Sequence, residues 1–254
     1  MLLTFIFGYY IIVSEVCVKL RFLRIESSFS MDIIAKNTSV ITSADGSTTY
    51  VVRKLSDVED KPVYSFFKRA FDMVASFFAL IVLAIPMLII ALIIVFDSKG
   101  GAFYKQERLG LNGVKFTLYK FRTMRADAEK DSGAIWAAEN DERCTKVGRI
   151  LRASRLDELP QLINILKGDM SIVGPRPERE VFYEEFETYI DGFSQRLRVV
   201  PGLTGLAQIS GGYDLVPEEK IAYDLEYIET RSALLDLKII FKTVAIVFNH
   251  KGAR

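Results

Sequence analysis

The longest apolar run in the chain is Val74 to Phe96, 23 residues without a charge. At about 1.5 Å of rise per residue, a helix of that length reaches across a bilayer. Pro86 sits in its middle, where it removes a helix hydrogen bond and bends the axis. Basic residues flank both ends, Lys68 and Arg69 before it and Lys99, Lys105 and Arg108 after it. Cytoplasmic flanks carry the Lys/Arg excess. The pattern therefore predicts a helix that enters, breaks at Pro86 and leaves by the same face; a kinked full span is the alternative. An earlier apolar run, Met1 to Ser14, is too short for a span and lacks a basic n-region and a small-residue cleavage site. It reads as a short interfacial or inserted helix, or as an upstream extension with Met31 as the start.

Glu26 to Pro62 has no sustained period and reads as a polar linker with one short strand at Ser47 to Val52. Ala102–Arg108 and Val114–Phe121 predict a β-hairpin around Leu109-Gly110-Leu111-Asn112-Gly113. Arg125 to Thr145 is a polar loop holding Trp136, read as buried beneath it. Val147 to Ser154 reads as helix. Glu178 to Ile190 has the stripe of an amphipathic helix, with Gly192 beyond it. Arg196–Val200 and Leu206–Ser210 read as strands about a Pro-Gly-Leu-Thr-Gly turn. Pro217 opens a helix to Thr230, and Ser232 caps a last one, Ala233 to Phe248, apolar enough for the core or for a membrane interface. The divisions are 1–25, an apolar N-terminal segment; 26–64, the linker; 65–100, a re-entrant membrane helix; and 101–250, a cytosolic domain with interfacial helices. The fold class is α+β.

Chemistry concentrates in Leu151 to Pro177, LRASRLDELPQLINILKGDMSIVGPRP. Proline is tolerated only in a helix's first turn. Pro160 therefore places a helix start near Leu156 to Leu159, with Asp157 and Glu158 at the positive end. A carboxylate there is expected to stay ionised, and a phosphate is welcomed. An ionised aspartate beside a bound phosphate suits a nucleophile or a magnesium ligand. Arg149 and Arg152 lie three residues apart on one helix face. Gly168 ends the helix, and Asp169 follows it in the turn. Pro175-Arg176-Pro177 restricts the backbone on both sides of one guanidinium, the preferred bidentate partner of a phosphate. Lys120 and Arg122 alternate with aromatics on the second hairpin strand, facing an anionic substrate or forming the strand's polar face.

Composition removes alternatives. The net charge of +1 gives no basic surface for nucleic acid. The single histidine, His250, excludes a histidine triad, and two cysteines make no disulfide or zinc framework. Catalysis must rest on carboxylates, lysines, arginines or hydroxyls.

The run Leu156-Asp157-Glu158-Leu159-Pro160-Gln161-Leu162 is followed by Lys167-Gly168-Asp169-Met170-Ser171 and Val173-Gly174-Pro175-Arg176-Pro177. It resembles the bacterial sugar transferase family, the monotopic polyprenyl-phosphate phosphoglycosyl transferases. The likeness extends upstream to Tyr119-Lys120-Phe121-Arg122-Thr123-Met124 and downstream to Pro201-Gly202-Leu203-Thr204-Gly205-Leu206-Ala207-Gln208, covering about Ser65 to Phe248. The resemblance implies a membrane-associated monotopic domain with a re-entrant helical hairpin, a small β-hairpin or sheet and amphipathic interfacial helices. It lies at the cytoplasmic face of the bacterial plasma membrane. The implied reaction moves a sugar-1-phosphate from a UDP-sugar to a polyprenyl phosphate and releases UMP, initiating a surface glycan. Asp157 would attack and form an aspartyl-phosphosugar. Glu158 would orient or deprotonate the lipid phosphate, and Mg2+ would sit on Asp157. Arg152 and Arg176 would hold phosphate oxygens, and Pro175 and Pro177 would shape the nucleotide pocket. Lys120, Arg122 and Asp169 are further substrate-binding candidates. Membrane lipid, a homo-oligomer and downstream glycosyltransferases complete the implied partners. The alternative is an inactive membrane-anchored scaffold.

Overall fold

The computed structural model describes residues 31–42, 48–56, 58–125, 127–128, 141–211 and 215–249. Trp136, His250 and the apolar run at 1–14 lie outside the described residues. Residues 31–37 are helical (α1). The order then runs β1 (Thr38–Thr42), β2 (Thr48–Val52), α2 (Pro62–Asp97), β3 (Phe103–Leu109), β4 (Lys115–Phe121), α3 (Lys146–Ala153) and α4 (Gln161–Lys167). It continues with β5 (Ser171–Val173), α5 (Glu180–Glu187), β6 (Ile190–Asp191), β7 (Gly202–Thr204), α6 (Leu206–Ser210), α7 (Pro217–Thr230) and α8 (Ala233–Asn249). Mixed helix and small sheet is what the sequence pattern predicts.

The apolar run lies inside one helix, α2, which is long and apolar enough to cross a membrane. Pro86 is within it, and the helix continues through it from Pro62 to Asp97. The expected break into a two-helix hairpin is not formed. The proline's lost hydrogen bond is offset by packing on both sides. Before it, Ala79, Leu80 and Leu83 meet Leu118, Leu162, Ile165 and Met170. After it, Met87, Ile90, Ala91 and Ile94 meet Ala102, Phe121 and Leu151. The opposite face, including Phe78, Val82, Ile85 and Phe96, is exposed and apolar. Both ends are tied to the same body. Lys68 pairs with Asp236 at 2.8 Å; Arg69 donates to the carbonyls of Ile165 and Leu166 at α4's end. At the far end Arg122 donates to the carbonyls of Ile94, Ser98 and Lys99, in and just beyond α2's last turn.

Within the stretch expected to be a linker, α1, β1 and β2 are formed. Thr38-Ser39-Val40-Ile41-Thr42 is a mostly β-branched run suited to a strand. It pairs antiparallel with β2, and β2 pairs in parallel with β6. Lys36 and Arg53 fasten this hairpin to α7 through Glu226 and Glu229. The main core joins Val52, Phe186, Ile190, Phe193, Ile221, Leu225 and Ile228. Ile239 of α8 is buried in it, while Leu234, Phe241 and Val244 on that helix are exposed. One helix thus serves the core and an open apolar face.

The Pro-Gly-Leu-Thr-Gly segment also departs from expectation. Gly202–Thr204 is a strand, parallel to β5. Residues 193–198 form a 3-10 helix and Leu206–Ser210 an α-helix. Close approach explains it: a Cβ on Gly202 would lie 2.0 Å from Gly174 N. Two glycines let the backbones meet, so this stretch pairs instead of turning.

Candidate active site

Four elements converge on the carboxylate pair. Asp157 and Glu158 lie in a 3-10 turn, Leu156–Glu158, entered through Arg155 in the left-handed region (φ 57°). The α-helix proper begins later, at Gln161, with Pro160 as its N-cap. The pair therefore sits ahead of α4 and not on its first turn, in buried surroundings. Asp157 is 7 % and Glu158 8 % exposed.

β4 delivers Lys120, whose Nζ lies 3.5 Å from Glu158 Oε1. The turn after β5 delivers Arg176, which donates from Nη1 to Glu158 Oε2 at 3.2 Å and from Nη2 to Oε1. α3 brings Arg152, whose Nε donates to Thr123 Oγ1 at 3.1 Å. α3 comes this close because Gly148 has no side chain; a Cβ there would lie 1.9 Å from the Thr123 carbonyl.

The two acids are shifted in opposite directions. Burial pushes the Asp157 carboxyl above the usual aspartate range, against the pull of Lys120, Arg176 and Arg152, and the neighbouring Glu158 charge adds to the rise. Burial would raise Glu158 as well, but Arg176 and Lys120 outweigh it and hold Glu158 well below the usual range. No hydrogen bond or ion pair links the Asp157 carboxylate to a described residue, whereas Glu158 is taken on both oxygens. The expectation that position alone keeps Asp157 ionised is thereby revised.

Other candidates separate. Pro175 and Pro177 are buried on either side of Arg176. Arg122 faces away from the pair: it donates to the carbonyls of Lys99 (2.5 Å) and Ser98 (2.8 Å) and caps the end of α2. Asp169 accepts from Asn164 Nδ2 at 3.1 Å, in the turn after Gly168. Asn164 is fully buried and ties α4 to β4, accepting from Tyr119 N–H and donating to the Thr117 carbonyl. The sequence reading passed over it, although a polar residue between Ile163 and Ile165 was a signal. It also passed over Arg108 and Arg196, which hold carbonyls of the Pro-Arg-Pro turn.

The sequence model of the family described as Bacterial sugar transferase matches residues 63–250. The chain belongs to that family. Among its relatives is the UDP-N-acetylgalactosamine-undecaprenyl-phosphate N-acetylgalactosaminephosphotransferase of Aeromonas hydrophila, 39% identical over 204 residues, 79% of this chain and 48% of that protein. The exopolysaccharide production protein ExoY of Rhizobium meliloti is 39% identical over 207 residues, 76% of this chain and 90% of that protein. A UDP-glucose:undecaprenyl-phosphate glucose-1-phosphate transferase of Caulobacter vibrioides is 43% identical over 191 residues, 73% and 71% of the two chains. The chain spans about half the length of the Aeromonas relative.

A magnesium ion suits the donors of this transferase-family site. Such ions take one or two carboxylates and fill the remaining positions with water and phosphate oxygens. Asp157 offers one buried carboxylate that is not engaged elsewhere. Among the described residues no group of three or more metal-ligating side chains occurs. Asp157 is the residue here that would hold such an ion.

Proposed function

We propose that the protein transfers a sugar-1-phosphate from a UDP-sugar to undecaprenyl phosphate, the first membrane step of surface-glycan assembly. The observation that carries this is the division of labour in the acid pair. Glu158 anchors two cations, and Asp157 remains as a buried carboxylate beside them. An Asp157 oxygen attacks the phosphorus that bears the sugar. The bond from that phosphorus to the bridging oxygen breaks, and UMP leaves with the electron pair. An oxygen of the acceptor phosphate then attacks the same phosphorus, and the Asp157–phosphorus bond breaks to restore the carboxylate. Arg176, Lys120 and Arg152 supply positive charge where the phosphate oxygens gather. Glu158, held ionised, is a poor proton acceptor. It sets the two cations, and the acceptor phosphate needs no base because it is mostly ionised at neutral pH. A magnesium ion held by Asp157 would supply charge neutralisation of the diphosphate.

We infer a membrane seat at the cytoplasmic face, on the exposed apolar sides of α2 and α8. Both ends of α2 are fastened to one body, which favours a chain whose catalytic part stays on one side. A cleft of about 850 Å3 opens between the starts of α2 and α8, walled by Phe67, Phe71, Leu237 and Ile240 and floored by Ile172. It offers the acceptor's hydrocarbon tail a place.

The test is UMP release from a panel of UDP-sugars by detergent-solubilised protein with magnesium and undecaprenyl phosphate. Release that needs the lipid, the metal and Asp157 supports the reading. Lipid-independent release at the full rate, or none with any sugar, contradicts it.

A further inference from the structure

Each carbonyl of the Pro175-Arg176-Pro177 turn accepts a hydrogen bond from a different element. Gly202 N–H on β7 donates to Pro175 at 2.8 Å. Arg196 Nη2 donates to Arg176 at 2.9 Å. Arg108 Nη1 donates to Pro177 at 3.2 Å. The prolines fix φ but have no N–H to give, so these acceptors do much to set where the turn sits.

Arg196 is the least expected of the three donors. It is 3% exposed. Its Nη2 also lies 2.7 Å from Asp224 Oδ2 on α7, and both side chains are sealed from solvent. The guanidinium stands over Phe193 at 5.0 Å and Tyr183 at 5.9 Å. A buried ion pair of this kind is weak evidence for stability, because desolvation offsets the attraction and apolar side chains of similar volume often do as well. The pair therefore asks for a role besides stability. Its geometry supplies one: the nitrogen that meets Asp224 also meets the Arg176 carbonyl. Its hydrogen bond goes to the Arg176 carbonyl, while Asp224 holds it by charge.

We infer that Arg196, set in place by Asp224, is a positioning residue of the transfer site: it holds the main chain of Arg176 so that the Arg176 guanidinium reaches Glu158. Arg196 acts through Arg176, not on substrate. The catalytic part of this inference rests on the proposed transfer reaction; the structural part does not.

The experiment uses the full chain in detergent. Arg196→Met combined with Asp224→Leu removes both buried charges together and leaves neither unpaired. Two readouts are taken, hydrogen exchange of the peptide covering residues 172–178 and the kinetics of UMP release. Exchange in that peptide is expected to rise about 10-fold or more, while α7 keeps wild-type protection. The kcat should fall about 10- to 100-fold, the scale of a small misplacement in a site. On an Arg176→Ala background the same pair of changes should cost less than about 2-fold, since residues acting through one another are not additive. Unchanged exchange at the turn, or a full multiplicative loss on the Arg176→Ala background, overturns the inference. If the wild-type protein releases no UMP, the transfer reading fails while the exchange readout still decides whether Arg196 holds the turn. If the double variant does not fold, Arg196→Lys is judged by the same exchange criterion, because it keeps a cation against Asp224 but loses the planar guanidinium that reaches the Arg176 carbonyl.

Discussion

Two regions bury ionised side chains, and they use them differently. Around Arg196 and Asp224 the two charges face each other and the surplus donor goes to main chain. Around Asp157 and Glu158 one acid is paired twice and the other has no partner among the described residues. Leaving a buried carboxylate unpaired costs free energy, so a protein that keeps one must gain elsewhere. The first region meets charge with charge, although Arg196 Nε and Nη1 and both Asp224 oxygens make no hydrogen bond to a described residue. In the second, the acid that is not paired is the one the proposed reaction uses. The comparison teaches that burial marks neither region as functional. What sets the second apart is a carboxylate with no ion-pair partner among the described residues, beside two cations held by its neighbour.

The largest effect should come from removing that unpartnered acid. Asp157→Asn is expected to lower UMP release by about 10³-fold or more, as loss of a nucleophile does. Steady-state assays on folded protein check this. Arg176→Ala should cost about 10²-fold, the scale of one lost contact to developing charge. Retention of most activity would move Arg176 out of the site.

Arg122 sharpens the contrast, since it is a cation two residues from Lys120 with the opposite fate. Arg122→Met leaves the carbonyls at α2's end without their charged donor. It should destabilise the protein by about 2 kcal/mol, measured by thermal unfolding. Turnover per folded molecule should change by only a few-fold. Lys120→Met should show the reverse, little loss of stability and about 10-fold slower turnover.

The smallest effect is the most diagnostic of burial. Burial raises the carboxyl of Asp157, so the folded state binds its proton more tightly than the unfolded chain does. Stability owed to this group is present at low pH and is lost as pH rises from the ordinary aspartate value, about 3.9, through the raised one. At neutral pH the group therefore destabilises the fold, and Asp157→Asn is expected to raise Tm by about 2–4 °C. Activity runs the other way, because only the ionised form attacks. It should fall with decreasing pH while still well above 4. Glu158, held below its ordinary range, contributes stability present above that range and lost as pH falls through its depressed value.

What was legible in the sequence was local. Pro217 and Ser232 marked helix starts, and Asn112-Gly113 marked the hairpin turn. The ordered motifs from Tyr119 to Gln208 pointed to the family and to Asp157, Glu158, Arg152 and Arg176 together. What was not legible depended on contacts between distant segments. Whether Arg122 faces substrate or the end of α2 is settled by the return of β4 beside that helix, some 23 residues away in sequence. The pairing of β2 with β6 joins Tyr50 to Ile190, and no local pattern announces it. Gly202 looked like turn chemistry because glycine serves turns and close backbone approach alike. Pro86 predicted a break because packing on both sides of it could not be read from the run itself.

The central claim is that Asp157 becomes covalently attached to the sugar phosphate. The most direct measurement is peptide mass spectrometry after mixing the protein with its UDP-sugar and magnesium, without lipid, and quenching in acid. The account predicts a sugar-phosphate adduct on Asp157 that disappears when undecaprenyl phosphate is added and is absent in Asp157→Asn. An active protein that yields no adduct, with a rate law requiring both substrates bound together, would contradict it.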